Sequence, residues 1–315
     1  MYTYRLTINK SLAKGVFTFN YGPTKNIAIN ISKHAASIEK DLKKDYRDDL
    51  MGSYIISLLK EGMKRSALFH LLMYQEPIKV KKVVLDVLVS GKVESTFDLT
   101  EEMVLYSLIN KKLERPISKE WNDKKVLQNI LQFMKSTDDM ARQISAIYAY
   151  LYSKTKRYET ERFSYLWMSM NGLYASLYPL NRPNDTEEMK ALLKRFHLGE
   201  EMFFTAERAE KGLKAMLKLK DVEEPVTRGS LMNGKHQELA DNIKSLLTRE
   251  GKALNLTPYG YLLTDFSYYL RCKFFHANRP MELFSFQSDM ELKAIRIANG
   301  LLEEFLDENL VMLFK

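Results

Sequence analysis

The stretch "IKVKKVVLDVLVSGKVESTFDLTEEMVLYSLINKKL" (residues 78–113) changes its period halfway along. Up to Leu99, polar and apolar side chains alternate, as they do in a strand with one buried face. From Thr100, a residue suited to capping a helix, the apolar positions take helical spacing through "EEMVLYSLINKKL", and the chain beyond remains helical in pattern. This switch predicts a mainly α protein: an N-terminal α+β part followed by an all-α bundle.

Working outward toward the N-terminus, "YTYRLTIN" (2–9), "GVFTFNYG" (15–22) and "IAINIS" (27–32) are short runs rich in Ile, Thr and aromatic residues. Gly15, Gly22, Pro23 and Asn26 punctuate them, so a small antiparallel sheet is expected. Residues 37–75 read as helical.

Toward the C-terminus, a helix is expected over roughly 123–152. It ends in "YLYSKTKRYETE" (150–161), where polar residues outnumber apolar ones. That composition shift divides the chain into a basic domain, 1–154, and a helical domain, 155–315. Further helices are expected at about 161–178, 185–220, 235–250, 257–276 and 288–310. Thr257 followed by Pro258 opens one of them, and Ser288 with Glu291 forms a capping box for the last.

The chain has 315 residues, 45% hydrophobic and 28% charged, which suits folded globular domains rather than disorder. No apolar run approaches the length of a membrane helix, and polar residues occupy the start, so a cytoplasmic protein with no membrane partner is expected. A single cysteine, Cys272, excludes an internal disulfide, and no Cys/His spacing suggests zinc. The net charge of +8 resides in the N-terminal half: residues 1–160 hold 27 Lys and Arg against 18 Asp and Glu. Such an excess points to a polyanionic partner.

"RCKFFHANRP" (271–280) places Arg271 five residues ahead of His276. Arg65 and His70 share that spacing, so spacing alone nominates nothing. Context separates them: "RSALFH" (65–70) lies within an amphipathic helix, whereas Arg271 and His276 end an aromatic helix that "ANRP" then breaks. Cys272 and His276, four apart, share a helix face, but no third group orients them as a nucleophilic pair. The acidic runs "DLKKDYRDD" (41–49) and "TDDM" (137–140), the former interleaved with Lys and Arg, read as solvated faces rather than metal ligands. "KVKK" (79–82), the lysine pairs at 111 and 124, and "KTKR" (154–157) are candidates for backbone phosphate.

"RCKFFHANRP" with its following helix, and "RFSYLWMSMNGLY" (162–174) upstream, together resemble the HEPN (higher eukaryotes and prokaryotes nucleotide-binding) domain, in its abortive-infection and Apea-like ribonuclease branches. The resemblance covers about 155–312. Cys272 stands where many such motifs have a polar residue, often Asn. The resemblance implies a metal-independent endoribonuclease of antiphage defence, with no cofactor. RNA supplies its own 2′-hydroxyl nucleophile, so proton transfer and charge stabilisation suffice. His276, of a residue type that titrates near neutrality, is then the general acid/base. Arg271 is the clamp on the phosphorane, and Asn278, Arg279 and Asn171 are supporting or RNA-binding residues.

Five residues turn a helix by roughly 140° beyond a whole turn, so Arg271 and His276 do not share one face. A homodimer joining two such helices would complete the site, and the HEPN ribonucleases are similar in this respect. The N-terminal domain would capture substrate or take a regulatory ligand or protein. The alternative function is a non-catalytic HEPN module that binds RNA or nucleotide or serves as an adaptor.

Overall fold

The computed structural model describes residues 1–10, 17–21, 27–31, 35–50, 54–104, 108–134, 141–177, 187–189, 191–192, 213–214, 217, 241, 244, 267–268, 270–271 and 289–315. Helix predominates, with one antiparallel sheet near the N-terminus. The chain forms two compact units, one of Met1–Ile144 with Val311–Lys315, the other of Ser145–Leu310.

In the first unit, strands β1 (Tyr2–Lys10), β2 (Phe17–Tyr21), β3 (Ile27–Ile31), β4 (Ala35–Leu42), β5 (Val80–Val89) and β6 (Lys92–Asp98) form one sheet in the order β2-β3-β4-β1-β5-β6. Every neighbouring pair is antiparallel. β1 is therefore central, and its alternation is clean: Tyr4, Leu6 and Ile8 are fully buried, while Thr3, Arg5 and Thr7 lie on the other face and stay partly exposed. Leu6 stands opposite Leu85 and Ile8 opposite Val83, so β5 adds its own buried residues to the same face.

Helix α1 (Tyr54–Tyr74) packs against β3 and β4. It buries Ile55, Leu59, Met63, Leu68, Phe69, Leu71 and Leu72 and also takes Arg65, Ser66 and His70 inside. A helix buried on nearly every side belongs to a core rather than to a surface. The β5–β6 hairpin turns through Ser90 and Gly91, both with positive φ, the geometry that matches the twist of the flanking strands.

The structure corrects two expectations here. Residues 37–42, the start of the stretch read as helical, belong to β4 instead. "AASIEKDL" has β1 on one side and β3 on the other to satisfy its backbone. Glu39 meets Arg5 across the ladder at 2.6 Å, and Thr3 donates to Asp41 at 2.5 Å, pairings that no local pattern announces.

The helix expected from Thr100 to Leu113 is recorded as α2 (Thr100–Val104), and residues 108–113 are turn and irregular chain. Thr100 is used differently: its hydroxyl accepts from the Val83 amide at 3.0 Å and donates to Asp98 at 2.6 Å, prolonging the sheet. Asn110, at φ 55°, folds its amide back onto both backbone groups of Val80 at 2.9 and 3.0 Å. Of the helix expected over 123–152, α3 (Lys124–Met134) and α4 (Ala141–Ser153) are helical as expected, and residues 135–140 lie outside the described residues.

Two short 3₁₀ helices also occur in the first unit, Arg47–Asp49 and Lys119–Asn122. The second one buries Trp121 completely. The last residues of the chain pack here, with Phe314 against Trp121 and its carbonyl accepting from Asn129 at 2.8 Å.

In the second unit, α5 (Glu159–Leu177) buries Phe163, Leu166, Trp167, Met170, Leu173 and Tyr174 at spacings of three and four. The long last helix, α6 (Asp289–Met312), buries Ala294, Ile295, Ala298, Leu301, Leu302, Phe305 and Leu306 with the same period. Both helices lie close to the spans expected for them.

Candidate functional site

Arg271 is the one motif residue of "RCKFFHANRP" within the described part of the chain. Cys272, His276, Asn278 and Arg279 lie outside it. Ser267 and Leu270 are buried, so the short described piece of this helix faces the interior on that side, leaving Arg271 half-exposed. Its guanidinium lies over the Tyr268 ring, 5.6 Å from the centroid. The same ring lies 6.2 Å from that of Trp167 on α5. Asn171, one turn beyond Trp167 along α5, is partly exposed.

The chain Trp167–Tyr268–Arg271 thus joins the two stretches that carried the sequence reading. Chemically it is an aromatic seat beneath a permanent cation. An arginine held over a ring has less conformational freedom to lose on binding an oxyanion.

Arg65 and His70, the pair set aside on context, are both buried in α1. Arg65 is paired with Glu61 at 3.1 Å. His70 places Nδ1 3.2 Å from the Glu76 carbonyl, and its ring is 4.7 Å from Tyr74. These are packing roles.

The basic runs divide on inspection. Lys79, Lys81, Lys82, Lys111, Lys112, Lys124 and Lys125 are exposed, but Lys82 pairs with Asp98 at 3.6 Å and Lys112 with Glu114 at 3.5 Å. Asp45, within the acidic run 41–49, grips Arg47, whose hydrogen bonds hold its carboxyl below the usual range. Among the described residues, no group of three or more His, Cys, Asp and Glu is arranged to hold a metal ion.

"KTKR" separates into different jobs. Lys154 is 2% exposed and binds Glu303, with Asp307 at 3.5 Å. Arg162, also buried, binds the other oxygen of Glu303 and reaches Glu159 at 3.2 Å. Asn299 donates to the Glu159 carbonyl and carboxylate at 2.9 and 2.7 Å. This network ties the α4–α5 turn to α6. Sequence reasoning missed it, because a lysine in a polar run looks solvated until its distant carboxylate is known.

Lys156 lies instead over two rings, Tyr152 at 4.4 Å and Tyr165 at 4.8 Å. Tyr152 stacks with Tyr148, centroids 6.0 Å apart, and meets Tyr165 edge-on at 4.7 Å. Burial pushes both the Tyr152 and Tyr165 phenols above their ordinary range, with the Glu161 carboxylate adding to the effect. Arg157 and Tyr158 follow in the turn and are exposed, Tyr158 at 64%. The spacing of Tyr148 and Tyr152 by four was the available signal.

No family model, curated protein or solved structure matches this chain. Among the described residues no helix is long and apolar enough to cross a membrane.

Proposed function

We propose that this chain is a metal-independent endoribonuclease of HEPN type, acting in the cytoplasm as a homodimer in antiphage defence. The observation that carries the reading is that its two family-like stretches are neighbours in space. Trp167 of "RFSYLWMSMNGLY" lies 6.2 Å from Tyr268, on whose ring Arg271 of "RCKFFHANRP" rests. In this reading His276 removes the proton from the 2′-hydroxyl and its counterpart protonates the departing 5′-oxygen. Arg271 from each subunit holds the phosphorane oxygens. The products are a 2′,3′-cyclic phosphate and a 5′-hydroxyl. Asn278, Arg279 and Asn171 support the site, and the N-terminal unit captures substrate or receives a regulatory ligand or protein.

Incubation of the purified full chain with RNA in EDTA tests this. Cleavage that leaves 2′,3′-cyclic phosphate ends and vanishes in His276→Ala is the required result. Absence of cleavage at any protein concentration, together with no toxicity on expression in cells, counts against it.

A second reading is a non-catalytic HEPN module that binds RNA, nucleotide or a partner protein. Cys272, in place of the polar residue common after the motif arginine, favours it. RNA binding without turnover, unchanged in Arg271→Ala and His276→Ala, selects that reading.

A further inference from the structure

We propose that Trp167 is a positioning residue for Arg271 and acts on it through the ring of Tyr268. The proposal deepens the reading of this site as ribonucleolytic and rests on that reading for its effect on rate. Its effect on the Arg271 side chain itself needs no cleavage.

The arrangement begins on α5. Phe163 and Trp167 stand one turn apart, so their side chains fall on one face of the helix. Their rings lie 6.4 Å apart with 25° between the planes, and both are inside, Phe163 wholly and Trp167 but for 3%. An indole stacked on a second buried ring in a close-packed interior has few rotamers open to it. Tyr268 meets that indole at 6.2 Å and 58°, within the range that aromatic pairs favour.

Tyr268 keeps part of its surface in solvent, whereas Ser267 and Leu270 beside it are buried. It therefore stands at the border of the core, where contact with a fixed ring limits how the phenol turns. Arg271 follows Tyr268 by three residues, the spacing that brings two side chains together on a helix, and its guanidinium lies 5.6 Å from the ring centroid. The column Phe163, Trp167, Tyr268, Arg271 thus runs from the interior to a half-exposed cation, and each ring restricts the next group outward.

Such restriction acts on rate. A clamp on a phosphorane works through donors already in place when the charge develops, and a long side chain loses rotamer freedom to be so placed. Trp167 is too buried to meet substrate itself, so its contribution passes through the ring above it.

The test uses the full chain and two readouts. In the first, Trp167→Leu is expected to lower kcat for RNA cleavage about threefold with little change in KM, and Trp167→Phe, which keeps a ring, to restore the rate. In a Tyr268→Leu background, Trp167→Leu is expected to cost no further rate, since the ring through which it acts is gone. Additive losses in kcat overturn the proposal.

The second readout is the Nε–Hε signal of Arg271 in protein carrying isotope-labelled arginine, assigned by its absence in Arg271→Lys. A ring beneath the guanidinium displaces that signal. Trp167→Leu is expected to move it toward its position in Tyr268→Leu, and Trp167→Phe to leave it near that of wild type. A signal that Trp167→Leu does not move overturns the proposal and leaves Trp167 as core alone. Should Trp167→Leu fail to fold, Trp167→Met, a flexible chain that refills more of the space, takes its place with the same outcomes. A chain that cleaves no RNA yet shows these shifts sinks the catalytic reading and leaves the positioning of Arg271 standing.

Discussion

The Phe314 ring lies 6.4 Å from that of Trp121, tilted by 47°, although 193 positions separate them in sequence. Trp121 has no solvent exposure and Phe314 only 3%. The last turn of the chain therefore completes the core of the N-terminal unit. Asn129 reinforces it by donating to the Phe314 carbonyl at 2.8 Å, and Lys315 meets Glu120 at 2.7 Å. Phe314→Ala is expected to cost about 3 kcal/mol, the usual scale for deleting a buried ring. The measurement is the urea midpoint followed by Trp121 fluorescence, with Trp167 replaced by Phe in the background to isolate the signal.

Glu303 is the shared acceptor of two buried cations, Lys154 and Arg162. Glu303→Leu leaves both without that carboxylate and is expected to destabilise by about 3 kcal/mol or more. Adding Lys154→Met removes one of the stranded charges and is expected to restore part of the loss. Denaturant unfolding of the single and double variants measures the coupling. Additive losses would mean that the two groups do not act as a unit.

Asp98 sets an acid sensitivity for the end of β6. Thr100 donates to it through its hydroxyl and its amide, and Lys82 stands nearby, so its carboxyl titrates below the ordinary value. A depressed folded-state pKa means that the contribution is present at neutral pH and is lost as pH falls below the unfolded value of 3.8 and through the folded one. Asp45, lowered by Arg47, acts in the same direction. Asp98→Asn is expected to lower Tm slightly at pH 7 and to narrow the gap between pH 7 and pH 3. Thermal melts at the two pH values provide the comparison.

Tyr268 is a positioning residue under the proposed function, because Arg271 rests on its ring. Tyr268→Leu is expected to reduce kcat roughly fivefold, the size of a cation–ring contact, while RNA affinity changes little. Tyr268→Phe, which keeps the ring, is expected to restore the rate. Arg271→Lys keeps the charge but not the fork, and is expected to lower kcat about a hundredfold. A fall in affinity as large as the fall in rate would contradict the positioning role.

Much of the sheet was legible because alternation is written locally. Tyr4, Leu6 and Ile8 occupy every second place in β1, and Val83, Leu85 and Val87 repeat the pattern in β5. β4 was not legible, since "AASIEKDL" sets Glu39, Lys40 and Asp41 in succession without apolar alternation, and the groups that meet Glu39 and Asp41, Arg5 and Thr3, lie on β1, far off in sequence. Of the candidate site, the motif residues could be named but not their surroundings. That Arg271 sits on Tyr268, and that Tyr268 meets Trp167 about a hundred residues upstream, depends on the path of the chain between them.

The sequence by itself determined what local periodicity can carry: a strand-rich start with helices after it, and α5 and α6 close to their bounds. Tertiary structure alone decided which charges are buried and what they meet. Lys154 and Lys156 stand two residues apart in one polar run, yet one is inside an ion network and the other lies over two tyrosine rings. The physical reason is that desolvation and pairing depend on groups far along the chain. Glu303 gives Lys154 its role, and no window of sequence holds both.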